Sequence, residues 1–151
     1  MAKFVYRMEN ILNIKYKLEE QAKQEYMAVR VRLNEEEEKL NALQNRKQEY
    51  FAQYRDLLKE RLDVLQIETC KEAILLMDEY IAAQEQVVAQ VEEELEQAIA
   101  KMKEAIKERK IHEKLKEKQF EIFLQELNQE EMKEIDQLIS YQYNHSSDQE
   151  E

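Results

Sequence analysis

The chain has 151 residues and a net charge of −11, and it contains neither glycine nor proline. Glycine and proline build tight turns, phosphate-binding loops and strained active sites, so their absence argues against most enzyme folds. The acidic charge argues against nucleic acid as a partner. The length allows one domain, and the abundance of Glu, Lys, Gln, Leu and Ala is typical of a coiled coil or long helical hairpin.

The first predicted helix covers about residues 3–64. Its apolar residues fall into two stripes, which are offset by a stutter near Glu36. The stripes are Met8, Ile11, Leu18, Ala22, Val29 and Leu33, followed by Leu40, Leu43, Tyr50, Tyr54, Leu57 and Val64. The acidic run from Glu35 to Glu38 falls beside the second stripe and indicates a solvated, locally loosened stretch.

A turn is predicted at about residues 65–69. Thr69 and Glu72 have the spacing of a capping box, in which Thr69 would cap the second helix. A turn at this place would bring Val64 opposite Cys70 and Leu43 opposite Val91, so that apolar positions meet across the hairpin.

The second predicted helix covers about residues 70–143, and its apolar spacing alternates between three and four over five heptads, which indicates a coiled-coil seam. The seam comprises Ile67, Cys70, Ile74, Met77, Ile81, Gln84, Val88, Val91, Leu95, Ala98, Met102 and Ala105. The stripe then shifts register and continues through Ile111, Leu115, Phe120, Phe123, Leu127, Ile135 and Leu138.

Residues 144–151 are polar and are expected to form a disordered tail. The predicted fold is therefore all-α, with two long helices forming one antiparallel coiled-coil hairpin over residues 1–143.

A second apolar stripe lies beside the seam. It comprises Leu76, Tyr80, Ala83 and Val87, with Phe51 and Leu58 off the seam of the first helix. These residues either widen the core or form an exposed partner site. We favour the partner site, because a lone hairpin has no third layer to bury them.

Candidate catalytic and metal-binding residues are few. Glu108 and His112 lie four residues apart on one helix face, which zinc could use, but two ligands leave a structural site incomplete, and a surface ion pair is the simpler interpretation. Cys70 falls on the core stripe and is expected to be a buried structural thiol. A two-helix hairpin offers no concave pocket that excludes water. We therefore expect no enzyme activity, no catalytic residue, no cofactor and no metal.

The location of the protein is indicated by two features. The first residues lack the apolar core and cleavage site of a signal peptide. No apolar run approaches the roughly 18 residues of a membrane span. We therefore expect a cytosolic protein.

The charge is distributed unevenly. Residues 34–100 contain seven Lys and Arg against seventeen Asp and Glu, whereas residues 1–33 and 101–118 are net basic. A hairpin would bring the two basic stretches together at its open end. The alternative is that these are solvated helix faces with a random imbalance.

The two ends of the chain resemble those of the flagellar export protein family FliJ. The similar stretches are Phe4 to Lys15, Glu113 to Phe120 and Glu131 to Asp136, with Tyr80-Ile81 just after the turn. The resemblance covers nearly the whole chain. Two residues depart from the family pattern, because Arg46 and Gln84 stand where an aromatic and an apolar residue are expected, and the turn lacks a glycine.

The resemblance implies a non-enzymatic adaptor of the bacterial flagellar type III export apparatus, with roles in motility and chemotaxis. Such an adaptor docks in the hexameric export ATPase ring and binds the cytoplasmic domain of the export gate membrane protein and export chaperones. It is a cytoplasmic monomer, peripherally associated with the inner membrane at the flagellar base. The implied ATPase-binding residues lie at the open end, and they are Phe4, Arg7, Met8, Ile11, Lys114, Lys118, Phe120 and Phe123. The implied export-gate residues are Leu43, Tyr50, Tyr80 and Val87.

Two other functions stay open. The chain could be a structural or tethering coiled coil that homodimerises through its seam and has no ATPase partner. A weaker alternative is a holdase chaperone that uses the outer apolar stripe.

Overall fold

The computed structural model describes residues 2–147 and contains two helices. Helix α1 runs over Glu9–Lys59, with 51 residues, and helix α2 over Val64–Ser147, with 84 residues. The two helices pack against each other as a hairpin, and the described residues contain no β-strand. The prediction of an all-α antiparallel hairpin is therefore confirmed. Two compact units make up the chain: unit 1 is residues 1–19 with 105–151, and unit 2 is residues 20–104.

Unit 2 contains the apolar core. Leu33 of α1 packs among Val88, Val91 and Leu95 of α2, and Val91 is fully buried. The seam predicted for α2 is confirmed here, because its members from Ile67 to Met102 are all buried or half-buried. A repeat of three and four places these side chains on one helix face, where burial of apolar surface stabilises the pair.

The turn lies at residues 60–63, earlier than the predicted 65–69. Asp63 caps α2, since its carboxylate accepts a hydrogen bond from the Leu65 N–H at 3.1 Å. Thr69 is inside the helix, and its hydroxyl donates to the Leu65 carbonyl at 2.8 Å. The predicted Thr69 cap is therefore wrong. Asp63 and Gln66 have the same spacing as a capping box, so the sequence contained a signal for the observed helix start.

The predicted pairing of the helices is wrong for the same reason, because the position of the turn sets every cross-helix pair. Cys70 lies against Tyr50, whose carbonyl accepts a hydrogen bond from the thiol at 3.2 Å, while Val64 is exposed. Val91 packs with Leu33 and not with Leu43. Each α2 position in the seam thus meets an α1 residue that is closer to the N-terminus than expected.

Unit 1 differs from the prediction at both termini. Helix α1 begins at Glu9 and not near residue 3, and the preceding residues carry Phe4 and the buried Tyr6 against α2. Residues 144–147 are helical, which corrects the predicted tail. Residues 148–151 of that tail lie outside the described part of the chain. The prediction of one domain over residues 1–143 stays a prediction.

The apolar stripe predicted for the end of α2 holds in unit 1 for Phe123 and Leu127, which are half-buried, and is corrected at four other residues. Ile111, Leu115, Ile135 and Leu138 are exposed, whereas Arg109, His112, Glu113 and Lys116 are half-buried and face α1. The half-buried residues Arg109, His112 and Lys116 continue the three-and-four spacing of the seam, so the face of α2 that packs on α1 does not shift. The sequence changes from apolar to polar residues at these positions instead.

Candidate functional site

Three phenylalanines form a cluster in unit 1. The ring of Phe4 meets Phe120 edge-on, with centroids 5.1 Å apart, and lies 5.5 Å from Phe123. Phe120 and Phe123 stack at 6.4 Å. These distances are within the range in which aromatic pairs attract one another beyond the burial of their area. The structure therefore brings together three residues that the sequence assigned to one site.

The cluster is only partly covered. Phe120 is 42% exposed, and Met8 and Ile11, which the sequence analysis assigned to the same site, are 47% and 42% exposed. Phe4 and Phe120 line a groove of about 610 Å³ with Glu9, Leu12, Tyr16, Glu113, Lys116 and Glu117. A second groove, of about 450 Å³, is lined by Val5, Tyr6, Arg7, Met8, Leu115 and Gln119. Unit 1 thus presents apolar and aromatic surface next to a groove.

Unit 1 also carries exposed cations. Arg7, Lys114 and Lys118 are all exposed, and none of them forms a salt bridge with another described residue. The other basic residues of unit 1 differ: Lys116 pairs with Glu9 at 2.9 Å and Lys15 pairs with Glu108 at 3.6 Å, whereas Lys3 and Lys110 are exposed and form no salt bridge with a described residue. Arg7, Lys114 and Lys118, which the sequence analysis assigned to the site, are therefore among several exposed cations of unit 1 that form no salt bridge with a described residue.

A polar network holds the helices together behind the cluster. The Arg109 guanidinium donates to both carboxylate oxygens of the buried Glu19, at 2.6 and 3.1 Å, and to Glu113 at 3.0 Å. The Tyr16 hydroxyl also donates to Glu113. Sequence reasoning missed this network, since inward-facing polar residues interrupt the hydrophobic pattern on which it relied.

The network shifts the pKa values of its members. Donation from Tyr16, followed by donation from Arg109, holds the pKa of Glu113 below its usual value. The same hydrogen bond raises the pKa of Tyr16. Hydrogen bonds to Glu19 and Glu113 raise the pKa of Arg109. All three groups therefore keep their ordinary charge states at neutral pH.

The candidate zinc ligands do not face a common centre. Glu108 pairs with Lys15, and the Nδ1 atom of His112 is buried with no hydrogen-bond partner in the described chain. Within residues 2–147, no three His, Cys, Asp or Glu side chains are grouped in a way that could hold a metal ion. The hydrogen-bonded, buried Cys70 is a structural thiol, as predicted.

The four residues assigned to the export gate lie in unit 2 and differ in exposure. Tyr80 is 49% exposed, and its neighbour Leu76 is 44% exposed. Leu43 and Tyr50 are half-buried. Val87 is half-buried and packs against the Leu33–Leu95 core, so its expected exposure is wrong. Of the outer stripe, Val87 therefore widens the core, whereas the other members are exposed, namely Leu76, Tyr80, Ala83, Phe51 and Leu58.

A second polar contact crosses the helices in unit 2. The Gln84 amide donates to the backbone carbonyl of Glu36 at 3.0 Å and to its carboxylate at 2.6 Å. Glu36 is half-buried, so the expectation of a wholly solvated acidic run is wrong at this residue. Donation from Gln84 and then from Lys39 lowers the pKa of Glu36.

Comparison with known proteins identifies the family. Along the described part of the chain, neither helix has an apolar stretch suited to spanning a lipid bilayer. Comparisons with curated proteins and with solved structures gave no match. The family model described as "Flagellar FliJ protein" matches residues 4–148, which is nearly the whole chain. The chain therefore belongs to the flagellar FliJ protein family and is a component of the flagellar export apparatus.

Proposed function

We propose that this chain is a non-enzymatic adaptor that docks in the ring of the export ATPase. In this proposal it also links the ATPase to the cytoplasmic domain of the export gate membrane protein and to export chaperones. It works as a docked monomer in the cytoplasm, at the inner membrane beneath the flagellum. The family assignment supports the setting, and the surface of unit 1 supports the ATPase contact.

The observation that carries the proposal is the partly exposed cluster of Phe4, Phe120 and Phe123. Interfaces are enriched in aromatic residues, methionine and arginine, and unit 1 also has the exposed Met8 and Arg7, which line one groove together. The exposed Lys114 and Lys118 of the same unit favour a partner with acidic residues, because complementary charge speeds association. Unit 1 thus combines an apolar anchor with a basic rim.

The absence of enzymatic activity is supported by the state of the candidate chemical groups. The Cys70 thiol is buried and donates to a backbone carbonyl, so it is poorly placed as a nucleophile. Glu19, Glu113 and Tyr16 are held in a network that joins the helices. The side chains of Glu19, Glu113 and Tyr16 therefore hold the two helices together.

The alternative of a tether that dimerises through the hairpin seam has less support. Val91 and Leu95 are already buried against Leu33 within a single chain. A dimer through the same seam would first have to expose them, at a cost of roughly 25 cal/mol for each Å² of apolar surface. The seam is therefore better explained as intramolecular.

The ATPase contact can be tested with paired charge reversals. Lys114→Glu with Lys118→Glu should slow association with the purified export ATPase about tenfold at low salt, and less at high salt. The matched control is Lys103→Glu with Lys107→Glu, which makes the same change at the same spacing on the exposed side of the same helix. Stopped-flow binding and ATP hydrolysis measure the two effects.

Equal association rates for the two double variants would rule out the basic rim as a docking element. Phe120→Ala tests the apolar anchor separately and should reduce stimulation of ATP hydrolysis. Deletion of residues 1–14 is a poorer test, because it would also remove the buried Tyr6 and Leu12.

The export-gate contact can be tested by comparing two neighbouring residues. Tyr80→Ala should weaken capture of the isolated gate domain and leave the melting temperature nearly unchanged, because Tyr80 is half exposed. Val87→Ala should instead lower the melting temperature, because Val87 packs on the core. Undiminished capture by the Tyr80 variant would remove this residue from the proposed contact.

A further inference from the structure

The two grooves of unit 1 differ in the charge of the side chains that line them. The groove beside Phe4 and Phe120 has three carboxylates among its lining residues, those of Glu9, Glu113 and Glu117. The groove of about 450 Å³ has none, and its lining residues are Val5, Tyr6, Arg7, Met8, Leu115 and Gln119. We call this second groove the Arg7 groove. Its single charged lining residue is a cation.

Each polar side chain that lines the Arg7 groove can donate a hydrogen bond. The Arg7 guanidinium has five N–H donors and no acceptor, it is exposed, and it forms no salt bridge with a described residue. The Gln119 amide is also exposed and forms no hydrogen bond with a described residue. Donors without partners are therefore in excess here, and no carboxylate of the lining competes for them.

Tyr6 supplies a third donor, and this one is buried. Its side chain is 9% exposed, and its hydroxyl is buried with no hydrogen-bond partner in the described chain. Buried polar atoms in folded proteins nearly always have a partner, because leaving one unpaired costs stability. Since Tyr6 lines the Arg7 groove, an acceptor that occupies the groove can supply the partner that the hydroxyl lacks.

The remaining lining residues are aliphatic. Val5, Met8 and Leu115 are all exposed, so they offer apolar surface to whatever enters the groove. Binding sites of this kind combine apolar walls with a few polar groups that fix the orientation of the ligand. The Arg7 groove therefore suits a ligand with an aliphatic stem and a head that accepts hydrogen bonds.

We propose that the Arg7 groove receives a glutamate side chain of the protein on which unit 1 docks. The two carboxylate oxygens match the planar guanidinium of Arg7, and the charge of one carboxylate balances that of one guanidinium. The two methylene groups of the glutamate lie along the aliphatic walls. The identity of the protein rests on the proposed function, in which unit 1 docks on the export ATPase.

Other occupants fit the lining less well. A lysine or arginine of a partner would face the like charge of Arg7 and would bring no acceptor. A purely apolar side chain would cover Arg7 and Tyr6 without pairing them. A phosphate group carries more negative charge than the single cation of the groove balances, and it has no stem to cover Val5, Met8 and Leu115.

A peptide titration of the full chain tests the groove without the ATPase. The probe is acetyl-Leu-Glu-Leu-amide, followed by NMR. The backbone amide signals of Val5, Arg7 and Leu115 should shift and saturate with this peptide. The matched peptide acetyl-Leu-Gln-Leu-amide and inorganic phosphate should leave them nearly unchanged. No saturable shift with the glutamate peptide, or an equal one with the glutamine peptide, would overturn the proposal, and an equal response to phosphate would overturn the choice of a carboxylate with a stem.

Tyr6→Phe separates a ligand-binding role of the hydroxyl from a structural one. Because the hydroxyl has no partner in the described chain, its removal should leave the melting temperature unchanged or raise it. The same substitution should weaken binding of the glutamate peptide several-fold. A lower melting temperature with unchanged peptide binding would show that the hydroxyl serves the fold, and would remove Tyr6 from the proposed site.

Arg7→Gln tests the cation of the groove and the identity of the partner. It should weaken binding of both the glutamate peptide and the purified export ATPase about tenfold, because a hydrogen-bonded charge pair is lost. The matched control is Lys110→Gln, which removes another exposed, unpaired cation of unit 1 that does not line the groove. Equal losses for the two variants would overturn the assignment to the groove.

The two proposals fail in different ways. If the ATPase binds the Arg7→Gln variant as tightly as the unmodified chain while the peptide does not, the groove takes a glutamate but not one of the ATPase. If the unmodified chain does not bind the ATPase at all, the proposed function is wrong and the assigned partner falls with it. The peptide titration still decides in that case whether the Arg7 groove binds a glutamate side chain.

Discussion

Arg109 of α2 donates two hydrogen bonds to the Glu19 carboxylate of α1, from Nε at 2.6 Å and from Nη2 at 3.1 Å. Glu19 is the one charged residue among the described chain's buried side chains. The flat guanidinium matches the two carboxylate oxygens, which a lysine ammonium cannot do. This pair therefore orients the two helices of unit 1 at a point where apolar packing is sparse.

Loss of one member of this pair should destabilise the protein. We expect Arg109→Leu to lower the melting temperature by several degrees, because the buried Glu19 carboxylate loses its guanidinium. Arg109→Lys should recover only part of the loss. The double variant Glu19→Leu with Arg109→Leu should melt above the single Arg109→Leu variant, since no buried carboxylate is left. Thermal unfolding followed by circular dichroism would decide this, and a double variant that melts lower would contradict it.

Acid should weaken the contact between Gln84 and Glu36. The folded pKa of Glu36 is lowered from 4.5, so its contribution to stability is complete above pH 4.5 and is lost as the pH falls through the folded pKa. Gln84→Ala should raise the pKa of Glu36 towards 4.5, as measured by NMR titration.

The contribution of Glu36 to stability can be tested by comparing substitutions at Glu36 and at its neighbour Glu37. Glu36→Gln removes the titrating carboxyl group, so the free energy of unfolding should decrease less steeply below pH 4.5 than in the unmodified protein. Glu37→Gln, at the exposed neighbouring residue, should leave that fall unchanged. If both variants lose stability with acid in the same way, the Glu36 contact is not its source.

The core of unit 2 should be sensitive to truncation. Leu95 is 8% exposed and packs with Leu33 and Val91, so Leu95→Ala should cost about 2–5 kcal/mol of unfolding free energy. Leu75 is on the same helix and 65% exposed, and Leu75→Ala should change stability by less than about 0.5 kcal/mol. Urea unfolding of both variants measures the difference, and similar losses would contradict the observed register of α2.

The contact between Phe4 and Phe120 should have a measurable coupling energy. Their edge-on geometry, with centroids 5.1 Å apart, predicts a coupling of about 0.5–1.5 kcal/mol. A double-mutant cycle with Phe4→Ala and Phe120→Ala measures it directly. Additive effects of the two substitutions would mean that the residues before α1 are not held against α2 in solution.

Local patterns in the sequence were sufficient for the fold class and for one side of the seam. The spacing of Ile74, Met77, Val88 and Val91 identifies the buried face of α2 because helix geometry puts these positions on one side regardless of the partner. The assignment of Phe4, Phe120 and Phe123 to one site came instead from the resemblance of the two chain ends to the FliJ family.

Prediction was less successful where residue type and burial disagree. Ile111 and Leu115 are apolar and exposed, whereas Arg109 and Glu113 are charged and half-buried. A search for apolar spacing chooses the first pair and overlooks the second. The polar pair is stabilised by hydrogen bonds across the helices, and such partners are far apart in sequence.

The sequence by itself determined that this chain forms two long helices, because it lacks glycine and proline and repeats apolar residues at intervals of three and four. Only the tertiary structure decided which residues of α1 meet which residues of α2. That choice depends on where Asp63 starts α2 and on contacts such as Gln84 with Glu36 and Arg109 with Glu19. A heptad repeat is nearly the same at every step, so apolar spacing alone permits several registers, and only specific polar pairs and the turn distinguish among them.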